Sequence, residues 1–67
     1  MKFHRGEKAY IVESAIFVLQ VEIIQQSSGF CLVKYPQKAG GYRVRESRLF
    51  KTKEEAHQFV ERYKTKE

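Results

Sequence analysis

Tryptophan is missing from this 67-residue chain, and cysteine, proline and methionine occur once each. A single cysteine, Cys31, closes no intramolecular disulfide, whereas small secreted domains ordinarily carry several as staples. The chain therefore reads as a protein of a reducing, cytoplasmic compartment. Long apolar runs are missing too. The most apolar stretch, Ala15 to Ile24, is broken by Gln20 and Glu22 and has about half of the roughly 20 residues that a spanning helix needs. Residues 1 to 8 hold Lys2, Arg5, Glu7 and Lys8 and no apolar segment of signal-peptide length. Neither a leader nor a membrane partner is expected.

The means for chemistry are sparse as well. One domain over residues 1–67 is expected, and a domain of this size buries only about 60% of its unfolded surface, which leaves no deep cleft for a small-molecule substrate. A nucleophilic Cys31 would need His4 or His57 to draw out its thiolate, yet it lies in an apolar strand between Phe30 and Leu32 and reads as a small buried hydrophobe. His4, Cys31 and His57 lack the spacing of a zinc-ligand set. Gly40-Gly41 precedes a strand, whereas a phosphate-cradling loop precedes a helix. Glu54 and Glu55 are explained by a helix start and need no acid–base role. The expectation is a non-catalytic protein with no metal and no cofactor.

What is present is a clear periodicity. Ala9 and Ile11 alternate with Tyr10 and Val12 in a first strand fed by a turn at Gly6, and Ser14-Ala15 ends it. Ile16 to Gln26 is the longest strand candidate, with Phe17, Leu19, Val21 and Ile23 on one face and Gln20 and Glu22 on the other. The Ile23-Ile24 doublet breaks the alternation and suggests a bulge. Ser27-Ser28-Gly29 is a turn; Phe30 to Tyr35 is apolar on both faces except at Lys34; Pro36 ends it. After the Gln37–Gly41 tip, Tyr42 to Arg45 returns as the partner strand, and Ser47 to Phe50 makes a turn and a short closing segment.

From Lys53 the period becomes helical. Ala56, Phe59, Val60 and Tyr63 form a stripe that should pack on the sheet. Thr52 and Glu55 have capping-box spacing, so the Thr52 hydroxyl should accept from the Glu55 N–H and the Glu55 carboxylate should accept from the Thr52 N–H. Lys64 and Lys66 suit the negative end of the helix dipole, and the last polar residues should fray. The expected fold is mainly β: strands within residues 8–50 and a helix over about 53–64.

The opening Phe3-x-x-Gly6-Glu7-x-Ala9-x-Ile11 resembles the first strand of SH3-like small barrels, the Tudor and KOW-type domains included. The likeness spans residues 3 to 50. The segment RESRLFKTKEEA is also similar to the ends of short uncharacterised proteins of low-GC bacteria and their mobile elements. The resemblance implies a barrel of about five antiparallel strands and a C-terminal helix that binds nucleic acid or protein. It does not extend to proline-rich peptide recognition, since the chain has no tryptophan, nor to a methyl-lysine cage, which does not map onto these tyrosines. The alternative fold is an open four-stranded antiparallel sheet with the helix on one face.

Charge gives the functional expectation. Residues 34 to 53 carry Lys34, Lys38, Arg43, Arg45, Arg48, Lys51 and Lys53 against the lone Glu46, so the net +5 of the chain originates there. Arg43 and Arg45 share a strand face, Lys34 lies on the neighbouring strand, and Tyr35 and Tyr42 flank the tip. Lys34, Lys38, Arg43, Arg45 and Arg48 could hold phosphates while Tyr35 and Tyr42 stack bases, as in small barrels that bind single strands or RNA. Two other readings stay open: a solvated edge whose charges prevent aggregation, and a surface for an acidic protein. A protein-interaction or self-association module is the alternative function, resting on Tyr10, Val12 and Phe30 as leftover apolar residues on the less charged side.

Overall fold

In the computed structural model, which describes residues 3–64, the alternating segments form five antiparallel strands. They are β1 (Lys8–Glu13), β2 (Phe17–Ser27), β3 (Phe30–Lys34), β4 (Tyr42–Arg45) and β5 (Leu49–Phe50). A 3-10 turn, Glu46–Arg48, joins β4 to β5, and the helix α1 (Lys53–Lys64) follows. The strands lie in the order β4-β3-β2-β1-β5, and β4 and β5 do not pair with each other. The sheet therefore curls into a half-barrel. The helix has its expected bounds, and β2 starts and ends one residue later than its pattern suggests. The expectation of fraying at the last residues, and that for Lys66, lie outside the described residues.

Turn chemistry sets the register. Ser27 pairs with Phe30 across a two-residue loop in which Ser28 and Gly29 both have positive φ (25° and 82°), the handedness that matches strand twist. At the other end of β2, Ser14 and Ala15 are also left-handed (φ 53° and 67°), though neither is glycine. The Ile16 N–H closes that turn on the Glu13 carbonyl at 3.2 Å. At Ile24 the pairing jumps from Ile23↔Val33 to Gln25↔Leu32, the bulge that the isoleucine doublet suggests. Gly6 (φ 87°) lets its own N–H reach the Ile23 carbonyl (2.7 Å) while Ile23 N–H reaches the Glu7 carbonyl (2.8 Å). The backbone pairing of β1 with β2 thus continues upstream, and Phe3 is fully buried.

The sheet is packed on both sides. Ala9, Ile11, Val21, Ile23, Cys31, Val33 and Leu49 point inward and close around Phe3. On the outer side Val12, with Tyr10, Val18 and Phe50 beside it, receives Ala56 and Val60 of α1. Tyr10 and Val12 are therefore not left over for a partner, because the helix covers them.

Two further expectations are corrected. Phe17 and Leu19 lie on the inward face as the alternation requires, yet are 58% and 38% exposed. The pairing of β3 with β2 reaches no further than Glu22↔Lys34, so the first part of β2 has no neighbour on that side. In α1, Phe59 and Tyr63 are 41% and 57% exposed rather than buried on the sheet. Phe59 meets the edge of the two-residue β5 through Phe50, their rings tilted with centres 5.5 Å apart, and Tyr63 stacks on Phe59 beyond that edge at 6.2 Å. The cap also differs in part. Thr52 Oγ1 accepts from the Glu55 N–H (3.1 Å), but Glu55 Oε1 accepts from Lys51 N–H (3.0 Å), one residue before the expected donor.

The left-handed Ala15 gives a direct check. Relief of roughly 1–2 kcal/mol of strain in Ala15→Gly, less the ~0.5–1 kcal/mol that glycine loses in entropy, leaves a gain of up to about 1.5 kcal/mol. Thermal unfolding should show a midpoint raised by a few degrees. A lowered midpoint would show that the turn is unstrained.

Candidate nucleic-acid interface

Strand pairing decides which basic residues meet. β4 aligns Arg45 with Phe30, Val44 with Cys31, Arg43 with Leu32 and Tyr42 with Val33. Cys31 and Val33 point into the core, so Val44 and Tyr42 share the inner side, while Arg43 and Arg45 stand on the outer side with Phe30, Leu32 and Lys34. The Glu46 N–H donates to the Gly29 carbonyl (2.9 Å), which makes Phe30↔Arg45 and Leu32↔Arg43 the pairs without mutual hydrogen bonds. Such pairs bring their side chains closest. The Arg43 guanidinium accordingly sits 4.2 Å from the centre of the Phe30 ring, and that of Arg45 5.5 Å. Both are within cation–π range.

The next row on this face runs Lys8, Glu22, Lys34 across three strands. Glu22 pairs with Lys8 at 3.6 Å, a half-exposed contact worth about 0–1 kcal/mol. Among the described residues no carboxylate lies within 4.0 Å of Lys34, Arg43 or Arg45. The outer side of β3–β4 is thus a cationic surface built on a phenylalanine.

The remaining expected residues are elsewhere. Tyr35 is buried on the inner side, edge-on to Tyr42 (5.4 Å, 86°), and its hydroxyl donates to Glu13 Oε2 (2.9 Å). Lys38 Nζ lies over both rings, at 5.1 and 5.4 Å. These three form a separate cluster at the inner rim, and the expected aromatic platform beside the arginines is corrected. Adjacent strand residues point to opposite faces, so Lys34 and Tyr35, like Tyr42 and Arg43, cannot share one. Arg48 is apart from both groups: its Nη2 donates to the Val12 carbonyl at 3.4 Å, just beyond the short pairing of β5 with β1. Phe30, expected on the less charged side, is the ring beneath the arginines. The signal for it was alternation along β3, which puts Phe30 on the same face as Lys34.

Lys51 has a structural task. Its Nζ donates to Glu7 Oε2 (2.8 Å) and lies 4.9 Å from the Phe3 ring. That bond first, and then the His4 N–H on the same carboxylate, hold Glu7 below the usual carboxylate range. Burial, with Glu46 as a smaller cause, pushes the Cys31 thiol up, away from a reactive thiolate. His4 and His57 are exposed. Among the described residues no group of three His, Cys, Asp or Glu is placed to hold a metal ion. None of their helices is long and apolar enough to cross a membrane. Comparison with protein-family models, with curated proteins and with solved structures found no match.

Tyr35 supplies the pH test. Burial first, then the bond to Glu13, pushes its pKa up to about 12 from the ordinary 10.0. A group whose pKa rises on folding contributes stability that is complete below its unfolded value and is lost as pH climbs through the folded one. Phenolate absorbance should show one tyrosine titrating near pH 12, with stability falling between pH 10 and 12. Tyr35→Phe should lessen that fall; an unchanged profile would contradict a Tyr35 hydroxyl held protonated by burial and by Glu13.

Proposed function

We propose that this chain is a non-catalytic, cytoplasmic binding module that grips single-stranded RNA or DNA with the outer side of β3–β4. The carrying observation is the pair Arg43 and Arg45, side by side over Phe30 with Lys34 on the adjoining strand and no described carboxylate within 4.0 Å. Guanidinium groups already held by a ring lose less rotamer freedom when they meet a phosphate, and their fork geometry suits its oxygens. Their faces turned from Phe30 are surfaces on which bases can stack. A strand that passes over the Gln37–Gly41 tip next meets Lys38 and the exposed part of Tyr42. Buried Tyr35 and the tethered Arg48 serve the scaffold in this reading. A strand order of β4-β3-β2-β1-β5 with a 3-10 turn between β4 and β5 is compatible with an SH3-like barrel, which supports the resemblance of the opening segment.

Fluorescence anisotropy with labelled single-stranded oligonucleotides tests it. Three phosphates neutralised by Lys34, Arg43 and Arg45 should give a log K against log salt slope of about −2. The double variant Arg43→Ala/Arg45→Ala should weaken binding by about tenfold or more, with circular dichroism unchanged, while Lys53→Ala at the helix start leaves it intact. No binding at low salt, or binding indifferent to salt, would refute the proposal.

A further inference from the structure

Besides its two end strands, the sheet has a third free edge. Ile23 bonds through its backbone to the β1 side, since its N–H donates to Glu7 and its carbonyl accepts from Gly6. Backbone direction alternates along a strand, so Val21, Leu19 and Phe17 also turn toward β1 while Gln20 and Val18 turn the other way. On that other side β3 reaches no further than the partner of Glu22. Where β3 would continue, a cavity lies between Gln20 and Val21 of β2 and the departing Tyr35-Pro36, with Lys8, Glu22 and Lys34 at its outer end. Among the described residues nothing bonds to the outward backbone groups of Val18 or Gln20.

The free edges are not protected alike. The outward backbone groups of β4 belong to Arg43 and Arg45, whose charges repel a second strand, and β5 has just two residues. The β2 edge, Phe17-Val18-Leu19-Gln20, has no charge, no proline and no bulge, and Phe17 and Leu19 are exposed beside it. An uncharged, apolar edge is the kind that recruits another strand.

We infer that two copies of this chain pair through this edge of β2, antiparallel about a two-fold axis falling within residues 17 to 20. A segment that pairs with itself must run antiparallel, so the interface is isologous and closes at two chains. Val18 and Gln20 exchange backbone hydrogen bonds with the other copy, and Leu19 and Phe17 of each chain cover one another on the inner side. Charge favours this place. Two copies with net charge +5 repel across their basic outer surfaces, whereas the nearest charges at the Leu19 side, Glu13 and Lys38, are of opposite sign. Arg43 and Arg45, on β4, are separated from the contact by β3, and Lys34 borders its Gln20 end.

Sedimentation equilibrium of the full chain from micromolar to millimolar concentration, with amide hydrogen exchange on the same samples, tests this. The expected mass rises from 7.9 kDa toward that of a dimer, and exchange at Val18 and Gln20 slows as concentration increases. Leu19→Lys should weaken association by at least about tenfold, and Phe59→Lys, on the helix, should leave it unchanged. A 7.9 kDa species at millimolar concentration with exchange at Val18 and Gln20 independent of concentration would overturn the inference. So would dissociation by Phe59→Lys and not by Leu19→Lys. Because the exchange measurement uses the unaltered chain, it decides the matter even if Leu19→Lys fails to fold.

Discussion

Burial of β1 from both sides is the constraint on which the rest of the molecule depends. Ala9 and Ile11 complete the inner core, and Val12, one residue further, carries the helix through Ala56 and Val60. Fully burying a valine contributes about 1.5–3 kcal/mol, whereas a half-exposed ion pair such as Lys8–Glu22 contributes about 0–1. The helix is therefore held by apolar contact. Its anchors are on β1, β5 and the start of β2, so it covers that part of the outer face. The β3–β4 part is left to Arg43, Arg45 and Lys34, and one face of one sheet is divided between a helix and a cationic surface.

Much of this was legible in the residues because the two periods are clean. Alternation located β1, β2 and β4, an apolar run ended by Pro36 located β3, β5 was read as a short closing segment, the Ile23-Ile24 doublet located the bulge, and the shift to helical spacing located α1. The sorting of side chains onto faces was legible too, but needed parity applied strictly. Tyr35 follows Lys34 and Tyr42 precedes Arg43, so the tyrosines had to leave the arginine face. Other features depend on where neighbouring strands stop, which no single segment encodes. Phe17 and Leu19 carry the pattern of core residues and are exposed because β3 pairs no further than Glu22. Phe59 and Tyr63 carry the pattern of a packed helix and are exposed because β5 is two residues long. Arg48 looked like one more cation of the hairpin, yet the 3-10 turn sends it to the Val12 carbonyl.

The sheet has a bulge at Ile24 and is open at its ends. β4 and β5 do not pair, so each free edge must be managed separately. At β4 the protection is charge, and the same charge is what makes that edge a candidate for phosphate recognition. At the start of β2 there is none. The chain thus has a basic surface suited to an anionic strand and an apolar edge suited to a copy of itself, and the two adjoin at Lys34.

The division of the outer face is tested most directly by amide chemical-shift mapping during titration with a short single-stranded oligonucleotide. The expected shifts are confined to Phe30–Lys34 and Tyr42–Arg45 and fade along the sheet toward β1, with Ala56 and Val60 of the helix unmoved. Shifts concentrated on the helix or on the Ser14–Leu19 hairpin, with β3 and β4 silent, would contradict it.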